Sequence, residues 1–198
     1  MSAPDTQHRH SVAAQGAEDQ GAPGRLELVR AFLNTRDVED GIEELATRAQ
    51  ARAWLEAHRL PAQDAVDAGR LRALREALRD LLLANNGQPH DEAALDKVRA
   101  EAAAVGLRVR FDGNGSSALV PAGGGTDAVV AELLGIVHEA MAAGTWPRLK
   151  ACRSETCEWA FYDRSRNRSG TWCSMAVCGN RAKVRSYRRR HPGGKRGS

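Results

Sequence analysis

The four cysteines of the chain are the residues whose type and spacing most directly indicate a chemistry. They form two pairs, Cys152 with Cys157 and Cys173 with Cys178, with four residues inside each pair and fifteen between the pairs. A structural zinc ion takes four ligands in a tetrahedron, and two short loops that each present two thiolates provide that geometry without a large core. The spacing therefore predicts that these four side chains bind one Zn²⁺ ion.

Other uses of four cysteines stay open at this point. Two disulfides are the main alternative, although residues 1–20 contain no apolar segment that would direct the chain to an oxidising compartment. An iron–sulfur cluster could use the same four thiolates, and unconnected buried thiols would need no ligand. A catalytic zinc is disfavoured because four thiolates leave no coordination position for water or substrate.

The second cysteine pair also constrains the local backbone. Residues five apart on an ideal α-helix point about 140° away from each other, so Cys173 and Cys178 cannot both bind one ion from within a regular helix. We therefore expect Cys173 in the turn before a helix and Cys178 in the first turn of that helix, which then continues to about Arg190.

Charge is distributed unevenly along the chain. The segment from residue 148 onward has 14 basic and three acidic residues, a net charge of +11, whereas residues 1–147 have 15 basic and 22 acidic residues, a net charge of −7. Basic side chains gain affinity for nucleic acid by displacing counterions condensed on the phosphates. Some of these charges would balance the thiolates around a metal, but the excess still predicts a polyanion-binding module attached to an acidic domain.

Nine basic side chains are candidates for contact with nucleic acid, three in a polar turn and six on the C-terminal helix: Arg164, Arg166, Arg168, Arg181, Lys183, Arg185, Arg188, Arg189 and Arg190. We expect the loop trio and residues 188–190 to contact phosphates, and residues 181, 183 and 185 to insert more deeply. Arg181 is equally suited to bracing the cysteine knuckle. On a helical wheel, Val177, Val184 and Tyr187 share one sector, which we expect to pack against the protein.

Two stretches resemble known families. Residues 172–181, preceded by residues 157–166, resemble the CGNR zinc finger, which is named for the tetrapeptide that stands here at residues 178–181. Upstream, residues 32–37 resemble the start of the ABATE-type domain that usually precedes this finger. Together the two resemblances cover about residues 26–191, and they imply a bacterial, stress-related transcription regulator whose zinc module binds DNA.

The apolar periodicity predicts a mostly α fold with a small β-hairpin, in the α+β class. Helices are predicted over residues 26–33, 42–58, 66–85, 91–105 and 127–143, and the hairpin over residues 107–111 and 118–120. The expected organisation is a disordered leader (1–24), a helical ABATE-like domain (25–146), a four-cysteine finger that ends in a basic helix (147–191) and a disordered tail (192–198). The short boundary near residue 146 predicts that the finger docks against the helical domain.

Two local expectations concern the arginines of the helix at 66–85 and the aromatic residues of the finger. The helix at 66–85 carries Arg70, Arg72, Arg75 and Arg79 among acidic residues, which predicts a solvated and partly ion-paired face. In the finger, we expect residues 159, 161 and 162 to form a miniature core under the metal and Trp172 to lie on the return strand.

Asn34 and Arg36, at the end of the first helix, have two interpretations. They could line a pocket for a small-molecule effector, as a sensor domain would require. Alternatively, Asn34 caps the helix and Arg36 pairs with Asp37, which we favour because polar residues are common at helix ends.

The sequence leads to a DNA-binding transcription regulator as the first hypothesis for function, with the helical domain sensing a ligand or forming a homodimer. An RNA-binding or ribosome-associated zinc protein is the alternative. An enzyme with its site in the helical domain is disfavoured, because the sequence contains no H-E-x-x-H or G-x-S-x-G motif. The best apolar run, residues 128–137, is too short to span a bilayer and contains Glu132, so we expect no membrane association and a cytoplasmic location.

Overall fold

The computed structural model describes residues 21–61 and 66–191. Most of the predicted leader and the whole predicted tail lie outside these ranges. Residues 21–24 belong to the fold, because Ala22 is buried and donates its backbone N–H to the Glu27 carboxylate over 2.7 Å. Within the described ranges, no helix combines the length and the apolar character needed to cross a bilayer.

The part of the chain before residue 146 contains helices and two short antiparallel strand pairs. The helices are α1 (Leu26–Leu33), α2 (Arg48–Ala57), α3 (Ala68–Asn85), α4 (Glu92–Ala104) and α5 (Gly125–Ala142). The strand pairs are β1 (Arg36–Asp37) with β2 (Ile42–Glu43), and β3 (Leu107–Phe111) with β4 (Ser117–Pro121). These elements confirm the mostly α prediction and the hairpin.

The second helix begins later than the periodicity predicted. Residues 42–43 pair with β1, and α2 begins only after Thr47, whose side chain accepts a hydrogen bond from the backbone N–H of Gln50. The Gln50 side chain accepts from the Thr47 backbone N–H in return, which completes a capping box. The cap, rather than the apolar spacing, therefore fixes where this helix begins.

The hydrophobic core is centred on α3, which packs against α1, α4 and α5. Leu71, Leu74, Leu78 and Leu82 of α3 are fully buried, at the spacing of three and four residues that lines one face of a helix. The predicted apolar face of α1 is buried against them. The periodicity therefore identified the core-facing side of these helices.

The prediction of a solvated arginine face on α3 is wrong for Arg75 and Arg79, which are only 1% and 3% exposed. Arg75 donates to the Glu43 carboxylate and to the Thr35 hydroxyl, and Arg79 donates to the Glu76 carboxylate and to two backbone carbonyls. Guanidinium groups are tolerated in the interior when carboxylates and carbonyls satisfy them. The ion pairing was predicted correctly, but its burial was not.

The hairpin lies on α5 beside Gly135, where a Cβ would stand 3.7 Å from the Leu107 side chain. Further along β3, Val109 and Phe111 are exposed. The Asp112 carboxylate closes the turn by accepting from the backbone N–H groups of residues 114 and 116.

The C-terminal part begins with a short 3₁₀ turn (Trp146–Arg148) and an antiparallel pair, β5 (Leu149–Ala151) and β6 (Ala160–Tyr162). A π-helical turn (Met175–Gly179) and the final helix, α6 (Asn180–Arg190), follow. The expected return strand at Trp172 is wrong, because β6 pairs back with β5. The neighbouring Thr171 carbonyl instead accepts from the Asn86 side chain at the end of α3, over 2.9 Å.

Candidate metal centre and basic helix

The four cysteine sulfurs form one compact cluster, in which every sulfur lies within 4.8 Å of the others. The Cys157 and Cys173 Sγ atoms are 3.5 Å apart, and the Cys173 and Cys178 Sγ atoms are 3.7 Å apart. Four sulfurs at about 2.3 Å from one zinc ion would lie about 3.8 Å from one another, whereas a disulfide requires about 2.05 Å. The residues are therefore positioned to bind a metal ion and fit the predicted Zn²⁺.

A π-helical turn brings the second cysteine pair together. The Gly179 N–H donates to the Ser174 carbonyl, five residues earlier, over 3.0 Å. This wider turn nearly aligns residues that are five apart, which a regular α-helix cannot do. Cys178 thus lies in the first turn of the helical segment, as predicted, but this turn is π-helical, and Cys173 precedes it.

The first pair is held by a tight turn after β5. The Cys152 N–H donates to the Trp159 carbonyl over 2.9 Å, and the Cys157 N–H donates to the Ser154 carbonyl over 2.8 Å. Glu158 has a φ of 54°, the left-handed conformation that reverses the chain direction. The turn thereby returns the backbone to β6 with both sulfurs on the inner side.

The electrostatics of the cluster favour a bound cation. Hydrogen bonds from the thiols of Cys157 and Cys173 lower the pKa of Cys152 to about 2, and hydrogen bonds from Cys173 to Cys152 and Cys157 raise the pKa of Cys173. Burial raises the pKa of Cys178. Four clustered thiols, three of them buried, cannot all ionise beside one another unless a positive charge compensates them, and a divalent metal provides that charge.

Aromatic and aliphatic groups surround the sulfurs. Trp159, Trp172 and Val177 pack against the cysteines. Of the three residues expected to form a miniature core under the metal, only Trp159 lies there, because Tyr162 belongs to the core of the helical part instead. Phe161 is also buried. The two parts of the chain therefore share apolar packing in addition to the hydrogen bonds between them.

Asparagine side chains link the helical part to the strands of the finger. Asn34 donates to the Ala160 carbonyl over 3.0 Å and accepts from the Ala160 N–H over 2.8 Å, so it pairs with β6 as a neighbouring strand would. Asn86 donates to the Ala151 carbonyl of β5 over 2.8 Å. These contacts agree with the predicted docking of the finger.

The predicted ligand-binding pair therefore has protein partners. Both polar atoms of the Asn34 side chain bind β6, and Arg36 pairs with Glu76 over 3.1 Å rather than with Asp37. Two surface cavities in the described residues are lined by other side chains. A small-molecule site at Asn34 and Arg36 remains a prediction from the sequence.

A buried ion pair shapes the polar turn that carries Arg164, Arg166 and Arg168. Lys150 donates to the Asp163 carboxylate over 2.8 Å and to the carbonyls of Arg168 and Gly170 over 2.6 and 3.0 Å. Burial alone would raise the pKa of Asp163, but hydrogen bonds from Lys150 and from the backbone of the turn lower it to about 2. The sequence did not reveal this pair, since the two residues are thirteen positions apart and neither belongs to a motif.

The nine candidate basic residues differ in what they contact. Arg164 donates to the Gly21 carbonyl over 2.7 Å, Arg181 pairs with Glu39 over 2.8 Å, and Arg185 lies 3.4 Å from the Ser154 hydroxyl. The other six are exposed on the turn and on α6: Arg166, Arg168, Lys183, Arg188, Arg189 and Arg190. Six of the nine thus point away from the rest of the protein, and Arg164 and Arg181 hold the finger to the helical part.

The orientation of α6 differs from the prediction. Val184 and Tyr187, which were expected to pack, are 49% and 60% exposed. The small residues Ala182 and Ser186 are half-buried and lie on the side that faces the protein. No residue of α6 is fully buried, and its two large apolar side chains, Val184 and Tyr187, face solvent.

Comparison with known protein families identifies both parts of the chain. A family model described as the CGNR zinc finger matches residues 148–191, which include the four cysteines and α6. The ABATE family model, described as a putative stress-induced transcription regulator, matches residues 26–146, which include α1 to α5. No curated protein matches the chain. The family matches confirm both resemblances seen in the sequence.

Proposed function

Because the chain belongs to the ABATE family of putative stress-induced transcription regulators and carries a CGNR zinc finger, we propose that it is a bacterial regulator that binds double-stranded DNA. The observation that carries this proposal is α6, in which six of eleven residues are basic, none is acidic and none is fully buried. A helix with this composition gains its binding energy from phosphate contacts.

The metal has a structural role in this proposal. Four thiolates fill the coordination sphere of zinc, so the ion supplies folding free energy and no catalytic position. Cys173 and Cys178 lie directly before α6, so the site fixes where this helix begins and how it leaves the knuckle. We propose that the protein is not an enzyme because its family is described as a transcription regulator.

The helical domain has a regulatory role in this proposal. The turn after α1 contacts the finger at two places, through Asn34 to Ala160 of β6 and through Glu39 to Arg181 of α6. A small-molecule effector that moved this turn would act directly on the position of α6. In this proposal the protein forms a homodimer through the helical domain. It acts in the cytoplasm, where the bacterial chromosome lies.

Fluorescence anisotropy with zinc-loaded protein tests the proposal. We expect tighter binding to a random-sequence duplex than to a structured RNA of equal length and charge. Each phosphate contact contributes about −0.9 to the slope of log affinity against log salt concentration. The double variant R188A/R189A should therefore bind more weakly and have a slope that is shallower by about 1 to 2.

The variant R99A is the matched control, because the Arg99 side chain is exposed on α4 and pairs with neighbouring acidic residues of the same helix. It should leave both the affinity and the slope unchanged. An unchanged slope in R188A/R189A would show that α6 does not meet phosphates. Displacement of the duplex by equimolar RNA would favour the RNA-binding alternative instead.

A further inference from the structure

The outward side of α6 carries two apolar side chains between rows of basic ones. Val184 lies about 160° around the helix from both Ala182 and Ser186, the residues that face the protein. Tyr187 follows three residues later on the same outward side, and its ring stacks on His191 at 4.3 Å. The side of this cationic helix opposite its half-buried residues therefore carries an exposed apolar and aromatic strip.

Basic residues flank this strip on both sides. At about 100° per residue, Arg188 lies about 40° beyond Val184 in one direction, and Lys183 lies about 40° beyond Tyr187 in the other. Both side chains are exposed. Arg190 lies on the same flank of the strip as Lys183. Arg189 lies on the same flank as Arg188 but closer to the side that faces the protein.

We infer that Val184 and Tyr187 are the residues with which α6 reads base edges in the major groove, while the flanking basic residues contact the two phosphate backbones. This inference rests on the proposed DNA binding and adds the residues that determine specificity. A helix is about 10–12 Å across with its side chains, and the major groove is about 12 Å wide. A helix inserted in this way places its outermost strip on the bases and its flanks on the backbones.

The chemistry of the strip sets the kind of sequence that it favours. An aliphatic side chain in the major groove gains from contact with the thymine methyl group, and a phenol hydroxyl can donate to or accept from a base edge. The preferred site should therefore contain at least one A·T pair where Val184 lies. The arginines, expected from the sequence to provide deeper contacts, act mainly on phosphates in this arrangement.

Charge favours DNA over a second copy of the chain as the partner of this surface. Two copies packed through Val184 and Tyr187 would bring Lys183 and Arg188 of each copy together and cause like-charge repulsion. Two side chains also provide far less than the roughly 800 Å² per partner that stable protein interfaces bury. A polyanion with apolar methyl groups in its groove matches both the charge and the apolar strip.

Selection from a randomised duplex pool, with zinc-loaded full-length protein, tests the inference. The affinities of wild-type protein for the selected site and for a scrambled duplex define a preference ratio. We expect V184S and Y187A each to lower this ratio by about fivefold or more, because one lost base contact costs about that much. Their affinity for the scrambled duplex should change less than about twofold. The matched variant K183A should weaken binding to both duplexes equally.

The outcomes separate this inference from the proposed function. If both variants keep the wild-type ratio, or if wild-type protein binds duplex DNA without preference, Val184 and Tyr187 do not read bases, although DNA binding stands. If wild-type protein binds no duplex at all, the proposed function itself fails. Sedimentation velocity adds a further check: a dimer that V184S converts to a monomer would show that this face is a subunit interface and overturn the inference.

Discussion

Replacement of Asp163 by asparagine probes the buried ion pair beneath the arginine-bearing turn. The Lys150 and Asp163 side chains are only 4% and 3% exposed, and their charged atoms are 2.8 Å apart. The variant D163N keeps the shape of the side chain and removes its charge. It leaves the Lys150 ammonium group with two backbone carbonyls and no counter-charge.

The structure indicates that the cost is large. Removal of one partner from a buried ion pair costs about 3–5 kcal/mol, because the remaining charge is buried without compensation. Both carboxylate oxygens of Asp163 accept backbone N–H groups, from Ser165 at 2.9 Å and from Gly170 at 2.8 Å. Whichever way the asparagine amide turns, its NH₂ group would face one of these donors. We therefore expect a loss of about 3–5 kcal/mol in the free energy of unfolding.

The lowered pKa of Asp163 reflects the same contacts and gives the pH range over which they stabilise the fold. The folded state lowers this pKa from 3.8 to about 2, which corresponds to about 2 kcal/mol at 1.36 kcal/mol for each pH unit. Because the folded pKa is the lower one, this stability is fully present above pH 3.8 and is lost as the pH falls towards 2. At neutral pH the whole contribution is available for measurement.

Urea unfolding at pH 7 in zinc-buffered solution, followed by tryptophan fluorescence, measures the effect. The variant K150M and the double variant K150M/D163N complete a cycle, in which the double variant should be at least about 1 kcal/mol more stable than the sum of the single effects predicts. The control D96N removes an exposed pair with Arg99 and should change stability by less than about 0.5 kcal/mol. A loss below about 1 kcal/mol in D163N, or additive single effects, would refute the reasoning.

Two further predictions concern the metal and the contact between the two parts of the chain. C173S should lose zinc and unfold the finger, since metal binding and folding are coupled in small metal modules; elemental analysis of full zinc content in this variant would contradict the ligand assignment. N34A should cost about 1–3 kcal/mol for each backbone group of Ala160 that it leaves without a partner, and N114A, in the exposed hairpin turn, is the matched control. Hydrogen exchange at the Ala160 amide should become faster in N34A, and unchanged protection there would show that the finger docks without this contact.

Features governed by short stretches of the chain could be predicted from the sequence. The cysteine spacing correctly predicted one metal site, because two tight turns bring each pair of sulfurs together. The apolar periodicity correctly predicted α3, in which Leu71, Leu74, Leu78 and Leu82 are buried on one face. The alternation around residues 107–120 likewise predicted the hairpin. Each of these three features depends on residues that are close together in the sequence, so their spacing is enough to predict it.

Features governed by distant partners could not be predicted in the same way. Arg75 is buried because Glu43 lies beside it in space, 32 residues away in the sequence. The wheel of α6 gave the correct angles between side chains but not the side that meets the protein. Hydrophobicity favoured Val184 and Tyr187 for that side, whereas Ala182 and Ser186 lie there, since small side chains allow the helix to approach closely.

The four residues 178–181 together orient α6. Cys178 provides a sulfur to the metal cluster. Gly179 leaves room for its neighbours, because a Cβ there would stand 3.3 Å from the Trp172 ring and 2.8 Å from the Met175 sulfur. The Met175 side chain could move away, but Trp172 packs against the cysteines and could not move without disturbing them.

The second half of the tetrapeptide extends this control beyond the knuckle. The Asn180 side chain donates to the Ala176 carbonyl over 3.0 Å, which ties the start of α6 to the π turn. Arg181 pairs with Glu39 of the helical domain over 2.8 Å. These contacts fix the direction of α6 relative to both the metal cluster and the helical domain. The tetrapeptide therefore positions α6, and the two residues that we infer to read bases, Val184 and Tyr187, follow it on the exposed side of the helix.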